Sequence, residues 1–87
     1  MARLRLPTTL TPLFTELPRR LELEATTVGC AIEELERRWP GVRDRLCEPG
    51  PALRRHIHVY VDGERATLDT PVGERSDVSV VAAISGG

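Results

Sequence analysis

The residues with the clearest chemical potential are the two glycines that follow the apolar run VSVVAAIS, Gly86 and Gly87. Glycine lacks a Cβ atom, so a Gly-Gly segment can pass through a tunnel too narrow for side chains. The terminal carbonyl carbon is also open to attack from either face. We interpret 85–87, which begins with Ser85, as a flexible tail that is either frayed or carries a reactive carboxylate.

The other reactive side chains do not suggest a site of their own. His56 and His58 would share one strand face, but we find no third ligand for a metal. Cys30 and Cys47 belong to no CxxC motif, so we expect neither a zinc site nor a disulfide. The sequence has no Ser-His-Asp, P-loop or dinucleotide motif. We therefore expect no metal, no bound cofactor and no catalysis by this chain alone.

The composition limits the possible partners. The 87 residues suffice for one small domain, and 40% of them are hydrophobic. All 12 basic residues are arginines, and they are balanced by 13 acidic residues, so the net charge is −1. Nucleic-acid binding usually needs a clustered basic excess, which is absent. Without a membrane-spanning run or a signal sequence, we expect a cytoplasmic protein that binds neither nucleic acids nor membranes.

Hydrophobic alternation predicts two strands near the N-terminus. In residues 2–6 (ARLRL), two leucines alternate with two arginines, and in residues 20–25 (RLELEA), two leucines alternate with two glutamates. These two runs form a predicted hairpin with a wide, Pro/Thr-rich loop. Four apolar side chains of the loop are expected to cover the core: Leu10, Leu13, Phe14 and Leu17.

A helical period begins after Thr27, which we predict to be the N-cap. The apolar stripe of this helix consists of Val28, Ala31, Ile32, Leu35 and Trp39. The opposite face is charged and contains two i,i+4 pairs in the favourable order, Glu33–Arg37 and Glu34–Arg38. A Pro-Gly pair ends the helix, and we expect a short helical turn in the connector that follows.

Three further strands are predicted at 55–61, 65–68 and 78–84, with a tight Asp-Gly turn between the first two. The order is therefore ββαβββ, and the first and last strands can pair in parallel. This order predicts an α+β fold of the β-grasp, ubiquitin-like type, a mixed sheet of about five strands with one main helix across one face. We assign 1–84 to this domain.

With that element order and Gly-Gly, the chain resembles the ubiquitin-like sulfur carriers: the small subunit of molybdopterin synthase, the thiamine-pathway carrier and the cysteine-biosynthesis carrier. SDVSVVAAISGG matches their last strand and tail, and LDTPV matches the preceding turn. LPTTLTP and HVYVDG look most like the cysteine-biosynthesis branch. Ala82 and Ala83 depart from the Pro or large apolar residue usual before the tail, which leaves the docking partner open.

The resemblance implies that an E1-like enzyme uses ATP to adenylate Gly87, and that sulfur then displaces AMP to leave a thiocarboxylate. In the branch that the chain most resembles, the acceptor is a pyridoxal-phosphate (PLP) cysteine synthase, and a zinc metallopeptidase releases the new cysteine. Four alternatives remain: a molybdopterin synthase small subunit, a donor to a thiosugar or thiazole synthase, a ubiquitin-like modifier conjugated through Gly87, and an interaction domain with an idle tail.

Docking of such a tail needs a folded surface beside it. In a β-grasp sheet the first, last and third strands are neighbours. Their outward residues are predicted to be Arg3, Arg5, Val81, His58 and Tyr60. Val81 and Tyr60 would form a small apolar centre with a basic rim, and we predict that this surface binds the partner.

Overall fold

The computed structural model describes residues 1–83. Within this range the chain forms a five-stranded mixed sheet and a separate two-stranded ribbon. The strands are β1 Ala2–Arg5, β2 Arg20–Leu23, β3 Cys47–Glu48, β4 Ala52–Leu53, β5 Ile57–Val61, β6 Glu64–Ala66 and β7 Asp77–Ala82. The helices are α1 Val28–Arg38 and α2 Val42–Leu46, with one 3-10 turn at Thr11–Leu13. The predicted β-grasp fold, with one main helix across the sheet, is confirmed.

The strand order in the main sheet is β2-β1-β7-β5-β6. β1 pairs antiparallel with β2 and parallel with β7, as the sequence predicts. β5 pairs antiparallel with both β7 and β6. Asp62 and Gly63 join β5 to β6 with φ angles of 51° and 88°, which suits the predicted tight hairpin turn.

The predicted strand bounds differ from the observed ones by one or two residues, and β6 and β7 each begin one residue earlier than predicted. The two-stranded ribbon β3–β4 was not predicted. Each strand of the ribbon has only two residues, too few to show a period of two. Cys47 lies in this ribbon and is buried. Predicted bounds that reach Ile84 lie outside the described residues.

The core lies between α1 and the inner face of the main sheet. The predicted stripe is confirmed for Val28, Ala31, Ile32 and Leu35, which are buried, and Trp39 is half-buried against them. In the loop before β2, Leu10 and Leu17 are buried and Phe14 packs partly against the core. The prediction was wrong for Leu13, which ends the 3-10 turn and is 52% exposed.

The charged face of α1 forms a different set of ion pairs from the predicted one. Glu34 binds both Arg37 and Arg38, so the Glu34–Arg38 pair is confirmed. Glu33 binds Arg43 on α2 at 2.8 Å instead of Arg37, because α2 folds back beside this face. The Glu33–Arg37 prediction was therefore wrong. No helix within residues 1–83 is both long and apolar enough to cross a bilayer.

Candidate functional site

The five predicted docking residues lie on one surface, which we call the outer face: the side of the main sheet opposite α1. The burial of side chains alternates along β1, β5 and β7, so alternate residues point away from the core. The residues that point outward include all five: Arg3, Arg5, His58, Tyr60 and Val81. Their role in partner binding stays a prediction.

The apolar part of the outer face lies towards the end of β7. Val81 is 43% exposed and lies directly opposite His58. Tyr60 is half-buried and lies opposite Ser79, diagonally across from Val81. Diagonal neighbours on adjacent strands are about 7–8 Å apart, within reach of an aromatic ring. The structure thus brings the predicted apolar centre together beside the C-terminal end of the last strand.

The basic rim differs between its two predicted arginines. The Arg3 guanidinium forms an ion pair with Asp77, with 2.9 Å between Nε and Oδ1, and Arg3 also lies opposite Glu22. Arg5 instead lies opposite Arg20 on one side and Ser79 on the other. Arg20 was not predicted as a site residue, because the wide loop before β2 hides the register of the hairpin.

The start of β7 is fixed by the β5–β6 turn. The Asp62 carboxylate accepts a hydrogen bond of 2.9 Å from the backbone N–H of Asp77, and the Asp62 N–H donates to the carbonyl of Asp77. The Asp77 hydrogen bond, with a further one from Ser76, holds the pKa of the Asp62 carboxyl below its usual value. These two hydrogen bonds hold the start of β7 beside the β5–β6 turn, where Asp77 forms its ion pair with Arg3 of the basic rim.

The other end of β7 remains in the sheet up to the last described residues. Ala82 is in register with Ile57, and the Ala83 N–H donates a hydrogen bond of 2.7 Å to the carbonyl of His56. β7 therefore stays paired with the β5 side of the sheet as far as Ala83, two residues beyond Val81. The predicted tail, with Ser85, Gly86 and Gly87, lies outside the described residues.

Two observations concern the remaining titratable groups. The Nδ1 atom of His58 is buried and has no hydrogen-bond partner among residues 1–83. Within the same residues, no three potential metal ligands lie together. Cys30 and Cys47 are free thiols. Hydrogen bonds to Thr27 and then Thr26 lower the pKa of exposed Cys30, whereas burial raises the pKa of Cys47.

The fold defines a β-grasp, ubiquitin-like protein, and its outer face carries the exposed Val81 near the end of its last strand. The model of the ThiS family matches residues 9–87. The chain therefore belongs to the ThiS family, and the relatives described next include sulfur carrier proteins of the CysO type.

The individual relatives agree with this assignment. The sulfur carrier protein CysO of Mycobacterium tuberculosis is 28% identical over 88 residues, which cover 94% of each chain. CysO in the Amycolatopsis orientalis BexX/CysO complex superposes with a TM-score of 0.88 at 27% identity, over 100% of both chains. SAMP1 from Haloferax volcanii superposes with a TM-score of 0.77 at 25% identity, over 99% of this chain and 98% of its own.

Proposed function

We propose that this chain carries sulfur as a thiocarboxylate on Gly87 and donates it in the cytoplasm to a biosynthetic enzyme. The observation that carries the proposal is the family match, which extends through Gly87 and is joined to a fold of the CysO type. The outer face supports it, because Val81 and Tyr60 offer a docking surface beside the strand that leads to the tail.

The chemistry explains why a carrier needs a separate activating enzyme. A carboxylate is a poor electrophile, since attack would have to expel oxide. Transfer of AMP from ATP to the Gly87 carboxylate releases pyrophosphate and forms a mixed anhydride with a good leaving group. A sulfur nucleophile such as hydrosulfide then attacks the carbonyl carbon, the C–O bond to AMP breaks, and the thiocarboxylate remains. This chain supplies the reacting carbon and the surface that positions it, while ATP belongs to the activating enzyme.

The structure of a relative favours an enzyme as the sulfur acceptor. The Amycolatopsis CysO was solved in a complex with BexX. By analogy, we propose that the same outer face of this chain docks first on an E1-like activating enzyme and then on an acceptor. A PLP-dependent cysteine synthase is our first candidate because of the CysO relatives, with a zinc metallopeptidase to release the new cysteine; a thiosugar or thiazole synthase is the alternative.

The experiment that tests the proposal is intact-mass spectrometry of the chain incubated with ATP, sulfide and the E1-like enzyme of the same genome. We expect a gain of about 16 Da, which corresponds to replacement of one oxygen by sulfur. A variant that lacks Gly87 is the control and should show no gain. Absence of the gain in the intact chain, with an enzyme shown to be active on ATP, would contradict the proposal.

A second candidate function is protein modification through Gly87. It is favoured by the similarity to SAMP1 of Haloferax volcanii, whose structure is also described as that of small archaeal modifier protein 1. In that case extracts of the native host should contain higher-mass covalent conjugates of the chain, and deletion of Gly87 should abolish them. The two functions share activation at Gly87 and differ only in the group that accepts the carbonyl carbon or its sulfur.

A further inference from the structure

The outer face contains a pair of like charges, of which Arg5 belongs to the predicted docking surface and Arg20 does not. Arg5 on β1 and Arg20 on β2 are direct cross-strand partners, and both are exposed. Within residues 1–83 neither guanidinium takes part in a salt bridge or a side-chain hydrogen bond. Like charges directly opposite one another weaken an antiparallel pair. The hairpin therefore keeps this pair at a cost to its own stability.

In the neighbouring row of the same face, an arginine is flanked by acidic residues. Two residues back along β1, Arg3 lies between Glu22 on β2 and Asp77 on β7, so positive charge there is balanced on both sides. The pair Arg5 and Arg20 has no such balance in its own row. The positive charge of this row is therefore not compensated, and exposed Arg65, which lies opposite Tyr60 on β6, adds to it.

The pair lies in a groove that a partner's side chain can enter. The groove is shallow, open to solvent and about 530 Å³ in volume, and it crosses β2, β1 and β7. Its charged and polar lining consists of Arg3, Arg5, Arg20, Glu22, Asp77 and Ser79. Cross-strand neighbours have Cβ atoms about 5 Å apart. Two long arginine side chains that start this close together can direct their guanidinium N–H donors at one carboxylate, which each guanidinium can bind in a bidentate manner.

We propose that Arg5 and Arg20 form a carboxylate-binding subsite, and that an acidic side chain on the docking surface of the activating enzyme occupies it. The proposal rests on the proposed function, because it names a contact of the same carrier–enzyme interface. Ser79 joins this subsite to the Val81–Tyr60 centre, since it lies between Arg5 and Tyr60 in one row of the sheet. One partner surface can therefore cover the subsite and the apolar centre together. Because the subsite is positively charged, charge complementarity favours an acidic side chain of the partner as its ligand.

The test compares two double variants, each of which removes two positive charges. Arg5→Gln with Arg20→Gln empties the subsite, whereas Arg37→Gln with Arg38→Gln removes the same charge from α1, on the other side of the sheet. The probe is the purified E1-like enzyme of the same genome. Its Kd is measured by calorimetry over a series of salt concentrations, and thermal unfolding of each variant is measured alone.

We expect the subsite variant to raise Kd by about 10- to 100-fold, the range for loss of one or two hydrogen bonds to a charged group. Its Kd should also depend less on salt than that of the parent chain. Relief of the like-charge contact should raise the unfolding midpoint by about 1–5 °C. The α1 variant should keep the parent Kd and lose a little stability, because it breaks two surface ion pairs.

Weaker binding together with a higher unfolding midpoint supports the subsite. If the two arginines had a structural role instead, their replacement would lower both the affinity and the unfolding midpoint. An unchanged Kd in the subsite variant, or a loss of binding that accompanies a fall in the unfolding midpoint, overturns it. The proposed function has its own readout in the same experiment, which is ATP–pyrophosphate exchange with the parent chain. If the parent chain is adenylated and the subsite variant binds equally well, only the subsite proposal fails.

Discussion

The two sides of the main sheet differ in how their charged side chains are paired. On the α1 side, Glu34 binds two arginines of its own helix and Glu33 binds Arg43, while Glu36 accepts hydrogen bonds from backbone N–H groups at the start of α2. On the outer face, Arg5 lies opposite Arg20 and Val81 is exposed. The difference indicates that charged side chains on the α1 side are paired within the chain. On the outer face, an arginine pair and an apolar side chain remain available to a partner.

This contrast has a thermodynamic basis. A small domain has only a few kcal/mol of net stability, so each uncompensated like-charge contact or exposed apolar side chain is a measurable fraction of the whole. Mutations on the α1 side should therefore change the free energy of unfolding and leave partner binding intact. Mutations on the outer face should weaken partner binding and leave the free energy of unfolding unchanged or slightly higher.

The largest effect is expected from the core on the α1 side. Leu35 is fully buried, and Leu35→Ala should lower the free energy of unfolding by about 2–5 kcal/mol, because it removes buried methyl groups and leaves a cavity. Urea denaturation measures this loss, and Arg37→Ala on the exposed face of the same helix is the control. Adenylation by the molecules that remain folded in the cold should be normal. A specific loss of adenylation in those molecules would contradict the statement that the α1 side affects stability and not partner binding.

On the outer face, Val81→Asp should raise the Kd for the activating enzyme by about a hundredfold, since it places an unpaired charge in the apolar centre of the interface. Val81 is 43% exposed, so the unfolding midpoint should change little. Val81→Thr keeps the shape and the strand propensity and should have a weaker effect. Normal adenylation of Val81→Asp would show that the outer face is not the docking surface.

The features of the two sides that depend on local periodicity can be predicted from the sequence. The Thr27 N-cap, the buried stripe of α1 and the outward position of Val81 all follow from residues close together in the chain. The parallel pairing of β1 with β7 follows from the element order. The buried stripe and the outward position of Val81 have one physical cause in common: the side-chain period of a single element determines which residues are buried.

The remaining features depend on how distant elements meet. Glu33 pairs with Arg43, and Arg5 faces Arg20, because the fold of α2 and the register of a hairpin with a wide loop bring them together. Leu13 points to solvent because a 3-10 turn, too short to show a period, sets its direction. The role of Gly87 came from family resemblance and not from packing, so the intact-mass experiment remains its test.

A smaller effect is expected at the N-terminus of α1. The Thr27 hydroxyl accepts a hydrogen bond of 3.1 Å from the N–H of Cys30, so Thr27→Ala should cost about 1 kcal/mol of stability, whereas Thr27→Ser should cost less. The same hydroxyl is the main cause of the lowered pKa of Cys30. Thr27→Ala should therefore raise that pKa and slow alkylation of the thiol by iodoacetamide at neutral pH. Unchanged alkylation would contradict this local coupling.

The smallest and most specific effect concerns Glu36, whose carboxylate accepts hydrogen bonds from the N–H groups of Arg43 and Gly41 at 2.9 and 3.1 Å. These bonds, the one from Arg43 first, hold the pKa of the carboxyl below its usual value. Because the folded-state pKa is lowered, the ionised group stabilises the fold above the pKa of the unfolded chain, and this contribution is lost as the pH falls through the folded-state value.

Glu36→Gln keeps the size of the side chain but cannot ionise, so it should be less stable than the parent chain at pH 7 and approach it in stability as the pH falls through the lowered pKa of Glu36. Urea denaturation over a pH series measures the difference. A constant difference across the series would mean that the side chain acts through packing and not through its charge. Binding to the activating enzyme should be unchanged at pH 7, because Glu36 lies on the side of the sheet whose charged groups are already satisfied within the fold.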